Sequence, residues 1–376
     1  MNVAFLNENT LGHTSYLPRF AAELARRPEL GVTAHVLDAL PLPPHLRRWG
    51  DTSVRGLRKF GLDFHGTRWR LAASRHLREK LDALRGREPI SALVVNTQSM
   101  GLALGGLPPE LPVFVALDAT FTQLANSPWF APNAPSRWLQ PLTLRGLLRR
   151  ERELFARTTR FLPWSEPVAK SLERDYGIES SRITILPPSF TPPPCRGEHR
   201  ANARPQLLFL GGDFFRKGGE LLSECHQRFL ADRCDLHVVT QSEVPAGRNL
   251  FVHRGVTAGG DAWLRRWREA DVFVFPSRLE TFGIVLLEAL AFEVPVVASD
   301  AGAARSILGN GDYGTLLPEL TAASLRTALM ATLENVMAAT ERARKGREHF
   351  ERNFDLAANA ERLAGLVHAA GGWRSH

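Results

Sequence analysis

Apolar residues occur in short unbroken runs, and several runs are followed by a loop and then a helical pattern. Residues 2–6 form the first run. A polar loop with Gly12 and His13 follows, and then Leu17, Phe20, Ala21 and Leu24 recur at the spacing of one helix face. Residues 32–37 form the next run, so the chain opens as β-loop-α-β, the start of a doubly wound sheet. The runs at 92–95 and 113–117 do not alternate with polar residues, which predicts strands covered on both faces, as in a parallel sheet. From 187 to 205 the pattern breaks: PPSFTPPPCRGEHRANARP cannot hold a regular element and reads as a linker. The same order then restarts with a strand at 206–210, a glycine-rich loop at 211–219 and a helix at 220–230. Strands at 236–240, 271–275 and 294–298 follow, with a helix at 283–292 between the last two. The tail from Leu356 begins as an amphipathic helix, apolar at Leu356, Leu363, Leu366 and Val367.

The expected fold is α/β: two Rossmann-like doubly wound domains facing a cleft. The expected boundaries are 1–190 for the first domain, 191–205 for the linker, 206–355 for the second domain and 356–376 for a C-terminal helix. A length of 376 residues agrees with two domains at roughly 150 residues each. In open α/β sheets, ligands gather beyond the carboxyl ends of the strands, so the loops there are where chemistry is sought.

Composition narrows the partners. The net charge of +8 favours anions, whether phosphates, nucleic acid or acidic headgroups. Charge alone suggests nucleic acid, and no nucleic-acid partner is expected. The basic stretches at 45–90 and 142–155 suit an acidic acceptor or peripheral contact with a membrane surface. In the second stretch Leu142, Leu144, Leu147, Leu148 and Leu154 are more simply core residues. Cys195, Cys225 and Cys234 fit no zinc spacing and read as free thiols in a reducing cytosol. The N-terminus has no basic segment before an apolar one and reads as a strand, and no apolar run reaches the ~18 residues of a membrane span. A cytoplasmic location is expected, with any membrane contact peripheral, on the inner face. The histidines show no metal-ligand pairing, so neither metal nor cofactor is expected.

The strongest chemical signal is DVFVFPSRLETFGIVLLEALAFEVPVVASDAG, residues 271–302. Glu280 falls in the loop before the helix and Glu288 in the helix body. Three and four residues from Glu288 stand Ile284, Val285, Ala291 and Phe292, so its face is expected to be buried against the sheet. A buried carboxylate costs several kcal/mol unless satisfied, and a ligand's hydroxyl pair would satisfy it. The two glutamates would be about 12 Å apart if the whole stretch were helical. Alternatively, Glu280 opposes the helix dipole and Glu288 pairs with a buried arginine. The second signal is FLGGDFFRKGGELL, residues 209–222. Gly211, Gly212, Gly218 and Gly219 allow close backbone approach to a ligand, and Arg216 and Lys217 add two positive charges before a helix N-terminus. The spacing is not that of a P-loop, and a solvated turn is the plainer alternative.

Together the two segments resemble the retaining glycosyltransferases of the GT-B fold, family four, group 1 type. That family carries two glutamates with seven residues between them, in a context like PSRLETFGIVLLEALAFEVPVVASDAG, and a basic loop like RKGG. The resemblance is specific between Leu207 and Gly314. It implies a nucleotide-sugar donor such as a UDP- or GDP-hexose, bound without metal. Glu288 would accept from the donor ribose, and Glu280 would hold hydroxyls of the transferred hexose. Gly12, Gly211, Gly212 and the backbone around Phe282, Gly283 and Ile284 would line the donor, and Arg216 and Lys217 would neutralise the leaving diphosphate. His13 and Asp118 would lie on the acceptor or sugar side, the acceptor being a glycan, a lipid-linked sugar or a small molecule. The last helix would cross back to the first domain.

The sequence departs from the family at several points. One glycine, Gly12, stands where the first loop usually has a pair. Leu117 replaces a histidine before Asp118, Gly212 replaces a loop arginine, and Ser306, beside Arg305, replaces an acidic residue. Asp118 also reads as a turn or cap residue, and Ser165 as the cap of the helix that follows it. Two other readings remain: a nucleotide-sugar epimerase of the same architecture, and a non-catalytic donor-binding subunit.

Overall fold

The computed structural model describes residues 1–50, 65–127, 140–194 and 203–371, with backbone only at 11 and 140–143. The chain divides into two compact units, one of residues 1–190 and 356–376, the other of residues 191–355.

In the first unit five parallel strands form one sheet: β1 (Asn2–Asn7), β2 (Thr33–Asp38), β3 (Ala92–Asn96), β4 (Val113–Leu117) and β5 (Arg160–Pro163), in the order β2-β1-β3-β4-β5. Every residue of β3 and β4 is buried, the physical meaning of their unbroken apolar runs. Helix α1 (Tyr16–Arg26) turns Tyr16, Leu17, Phe20 and Leu24 to the core. Helix α2 (His65–Arg85) buries Ala72, Ala73, Ser74, Leu77 and Leu81. Its small and widely spaced apolar residues sit among arginines, which hides the helical period in the sequence. Helix α3 (Gln140–Arg157) buries Leu144, Leu147 and Leu154 and exposes Arg145, Arg149 and Arg152; the Leu142 side chain lies outside the described residues. Helix α4 (Glu166–Tyr176) follows β5.

The second unit has six parallel strands: β6 (Gln206–Leu210), β7 (Asp235–Val239), β8 (Leu250–His253), β9 (Val272–Phe275), β10 (Val296–Ala298) and β11 (Thr315–Leu316). Their order is β11-β10-β9-β6-β7-β8, which is the 6-5-4-1-2-3 order of a dinucleotide-binding sheet. Helix α5 (Gly219–Cys225) passes into a π-helical turn at His226–Leu230, where one regular helix was expected. Helix α6 (Ile284–Ala291) follows β9, and α7 (Ala322–Glu334) and α8 (Val336–Asn353) end the unit.

The two units differ in winding. The first sheet reverses direction between β1 and β3, the second between β6 and β9. At each reversal the loops leave to opposite faces of the sheet and open a crevice at the strand ends.

Helix α9 (Leu356–Ala370) belongs to the first unit. It buries Leu363 and Val367, Asn359 Nδ2 donates to Ser189 Oγ at 2.8 Å, and His368 Nε2 meets Leu30 O at 2.8 Å. Cys225 and Cys234 are buried free thiols, and burial pushes them up to about 11 and about 12; Cys195 lies outside the described residues. Among the described residues no helix is long and apolar enough to cross a membrane.

Leu363→Ala removes a side chain that is 1% exposed. Loss of transfer energy and the cavity left behind should cost roughly 2–5 kcal/mol. Thermal unfolding followed by tryptophan fluorescence should show a lowered transition; an unchanged one would mean that α9 is not integral to the first unit.

Candidate functional site

In the second unit, the loops after β6, β9 and β10 meet at the sheet reversal. Gly218 has φ +74°, and a Cβ there would sit 1.8 Å from Pro276 O. A Cβ on Gly302 would lie 2.8 Å from Thr281 O, and one on Gly219 would lie 2.3 Å from the Phe214 ring. Glycine at these positions lets the 211–219 loop and the loop after β10 close on the 276–283 loop. Hydrogen bonds complete the fit. Arg278 N donates to Arg216 O at 3.1 Å, Arg216 Nη1 to Leu279 O at 2.9 Å, and Ser299 Oγ to Ser277 O at 2.7 Å.

That closure brings Lys217 onto Glu280. The two form an ion pair whose side chains are only 15% and 10% exposed, and the Lys217 ammonium stands 5.6 Å from the centroid of the Phe275 ring. Glu280 therefore answers Lys217 rather than a helix dipole. Helix α6 begins only at Ile284, after Gly283 at φ +101°, so the all-helical spacing assumed for Glu280 and Glu288 does not apply. Arg216 is 28% exposed and lies 3.4 Å from Asp213. A Cβ on Gly211 would lie 3.1 Å from the Lys217 side chain, whereas one on Gly212 would meet open space. Phe282 is buried.

Glu288 corrects one expectation. Leu286, Leu287, Ala289, Leu290 and Ala291 take the fully buried positions of α6, and Glu288 is half-buried with Ile284 and Val285 on the less covered face. The helix is apolar at every position but Glu288, which stands on its less covered face rather than the buried one. In the next loop, Arg305 pairs with Asp300 through 2.9 and 2.6 Å bonds, and Ser306 is exposed.

The first unit gathers a second polar cluster at its own reversal. A short turn, Leu11–His13, leaves Gly12 exposed and His13 partly covered. His13 Nδ1 lies 3.2 Å from Asn96 Oδ1 and Nε2 lies 3.4 Å from Asp118 Oδ2. Both ring nitrogens face oxygen acceptors, the arrangement an imidazolium requires. Burial alone would lower its pKa. The charge and hydrogen bond of Asp118, then Glu8 and Asn96, outweigh burial and raise it to about 9. Trp164 lies against the imidazole, with ring centroids 4.7 Å apart. Around them Asn7 Nδ2 donates to Asp38 Oδ1 at 2.7 Å, and Thr97 Oγ1 donates to Glu8 Oε2 at 2.7 Å.

Asp118 is thus no helix cap. Thr120 caps the helix Phe121–Ala125, with Gln123 completing a capping box. Ser165 also differs from expectation: it occupies the N-cap of α4 without a cap hydrogen bond, and its hydroxyl is buried without a partner. Leu117 is fully buried in β4. Glu8, Asn96 and Thr97 were not singled out in the sequence; their one signal is that they are polar residues where apolar strand runs end. Among the described residues no group of three His, Cys, Asp or Glu is placed to hold a metal ion.

Residues 261–349 match the family described as Glycosyl transferases group 1. A D-inositol 3-phosphate glycosyltransferase of Geodermatophilus obscurus is 31% identical over 259 residues, covering 60% of this chain and 57% of that protein. The chain therefore spans little more than half the length of that relative. Among solved structures, a sucrose-phosphate synthase of Thermosynechococcus elongatus has TM-score 0.71 at 16% identity, with 98% of each chain covered. The Anabaena protein Alr3699/HepE, solved in complex with UDP-glucose, has TM-score 0.64 at 14% identity over 98% of this chain and all (100%) of that one. At these identities the likeness establishes the fold, the GT-B architecture of two Rossmann-like units.

Two predictions follow from this geometry. Gly218→Ala combines a backbone that L-residues rarely adopt with a collision against Pro276 O, and it should lower stability by roughly 3 kcal/mol or more; differential scanning calorimetry reads it. For His13, a raised pKa means that its stabilising contribution is whole below pH 6.5 and is lost as pH rises through about 9. The His13 ring signal in NMR should titrate near 9, and Asp118→Asn should move that midpoint down. An unmoved midpoint would rule out the ion pair.

Proposed function

We propose that the chain is a glycosyltransferase that moves a hexose from a nucleoside-diphosphate sugar to an acceptor hydroxyl, with retention at the anomeric carbon and without a metal. The observation that carries this reading is the Lys217–Glu280 pair at the β6/β9 reversal, beside Arg216 and the start of α6. The group 1 family match across 261–349 supports it, as does the shared fold with a protein solved in complex with UDP-glucose.

The chemistry follows from charge. As the bond between the anomeric carbon and the phosphate oxygen breaks, negative charge collects on the leaving diphosphate, and cations already aimed there lower the barrier. Lys217 and Arg216 supply them. Before the donor arrives, Glu280 holds Lys217 in place through the ion pair; with the donor present, the same carboxylate accepts from hydroxyls of the transferred hexose. Glu288, on the half-covered side of α6, accepts from the ribose. The departing phosphate takes the proton of the acceptor hydroxyl as that oxygen bonds to the anomeric carbon, so the step balances without a protein base. His13 is not that base, because a ring protonated up to about pH 9 has no free lone pair at neutrality. It stands on the acceptor side as a positive charge, with both of its N–H groups engaged by Asn96 and Asp118.

The test is a thermal-shift screen of UDP-, GDP- and ADP-sugars, followed by mass spectrometry of acceptor mixtures and NMR of the product anomer. Glu288→Gln should weaken donor binding roughly tenfold, the loss of about one charge-assisted hydrogen bond. Lys217→Ala should chiefly slow transfer, on the order of 100-fold. EDTA should change neither. Donor binding without turnover on any acceptor would favour a binding subunit, product formed without an acceptor would favour an epimerase, and no shift with any nucleotide sugar would end the proposal.

A further inference from the structure

The carbonyls at a helix end need partners from beyond its last turn. For α6 the backbone supplies three. Phe292 N donates to Glu288 O at 2.9 Å, Glu293 N to Leu290 O at 3.1 Å and Val294 N to Ala289 O at 3.0 Å. Glu293 holds the left-handed conformation at φ +54°, and the last two bonds are those that close a Schellman motif. The carbonyl of Ala291 is met by a side chain: it accepts from Arg347 Nη1 of α8.

The same nitrogen donates to Pro193 O at 3.0 Å, and Arg347 Nε donates to Glu351 Oε1 at 2.6 Å. Arg347 is 7% exposed. It reaches this place because Gly346 lets α8 lie close on α6: a Cβ on Gly346 would come within 2.7 Å of the Leu290 side chain. A guanidinium suits the position. It is positive at the negative end of the helix dipole, and its planar fork serves several acceptors at once. Buried, it needs a countercharge, which Glu351 provides.

Pro193 belongs to the segment that the sequence marks as the linker. Pro192, Pro193 and Pro194 have no amide hydrogen, so their backbone can be held only through its carbonyls. Arg347 holds the middle one. One side chain therefore joins the start of the linker to the end of α6. The other end of that helix follows the 276–283 loop, and Glu288 stands three residues before Ala291.

We propose that Arg347 is a positioning residue for α6: it seats the linker on the C-terminal end of this helix, so that the linker's seat and the place of Glu288 are set together. The consequence for donor binding rests on the reading of Glu288 as the ribose contact; the seat itself does not.

Two substitutions approach the seat from opposite sides. Arg347→Lys keeps a cation and loses the fork. Pro193→Gly keeps the carbonyl on a looser strand, outside the packed helices. Hydrogen exchange of the Phe292 and Glu293 amides reads the seat with no donor present. It should quicken roughly tenfold in Arg347→Lys, about one hydrogen bond, and roughly threefold in Pro193→Gly. Whichever of UDP, GDP and ADP the wild type binds should bind the variants more weakly by similar factors, read by isothermal titration calorimetry. The double variant should bind no more weakly than Arg347→Lys alone, because the linker acts on the helix through that side chain. With donor and acceptor in hand, KM for donor should rise in Arg347→Lys while kcat holds; a substitution that merely unfolded part of the protein would lower kcat and leave KM. Unchanged exchange in Pro193→Gly, or effects of the two substitutions that simply add, overturn the proposal. If no nucleotide binds the wild type while exchange follows the expected pattern, the glycosyltransferase reading falls and the Arg347 seat stands.

Discussion

The second unit is organised around one close approach: the backbone at Gly218 lying against the carbonyl of Pro276. No side chain fits between them, and that absence of a Cβ lets Lys217 reach Glu280. The pair is largely shielded from water, so its attraction is screened less than that of a surface ion pair, and each partner would be costly to bury alone. The remaining contacts of the two loops, from Arg216 to Leu279 O and from Ser299 to Ser277 O, keep that approach in register. A donor's diphosphate would find its countercharge already immobilised, which is where preorganisation gains over solvent.

The first unit solves a different electrostatic problem with the same topology of crevice. Its reversal between β1 and β3 collects carboxylates and carboxamides, with His13 held among them. The imidazolium is maintained because Asp118 and Glu8 together outweigh its desolvation. A charged ring held by Asn96 and Asp118 and packed against Trp164 is a fixed positive charge rather than a base. The net charge of +8 does not describe this locality: Glu8, Asp38 and Asp118 all gather at these strand ends.

Glu151 shows how one buried carboxyl can tie separate elements together. Its two oxygens accept from the Phe121 amide and the Tyr176 hydroxyl. The loop it holds carries the residue that keeps His13 charged, so packing in α3 and α4 reaches the strand-end cluster through hydrogen bonds rather than through direct contact.

Hydrophobic pattern alone was sufficient for the parallel strands of both sheets whose runs are unbroken, because a strand covered on both faces must be apolar throughout: β3, β4, β6 and β9 lie within a residue of where the runs place them. The two motif segments were legible as loops at the ends of β6 and β9, but the pairing of Lys217 with Glu280 across them was not. Short or mixed strands were not. β5, β8 and β11 have four, four and two residues, too few to show a period, and they are strands because partners hydrogen-bond them. Long-range pairings were beyond reach for the same reason. His13 with Asp118, Phe121 with Glu151, and the half-buried place of Glu288 each depend on which elements lie side by side, and a local pattern records what a residue prefers to face without recording what it meets.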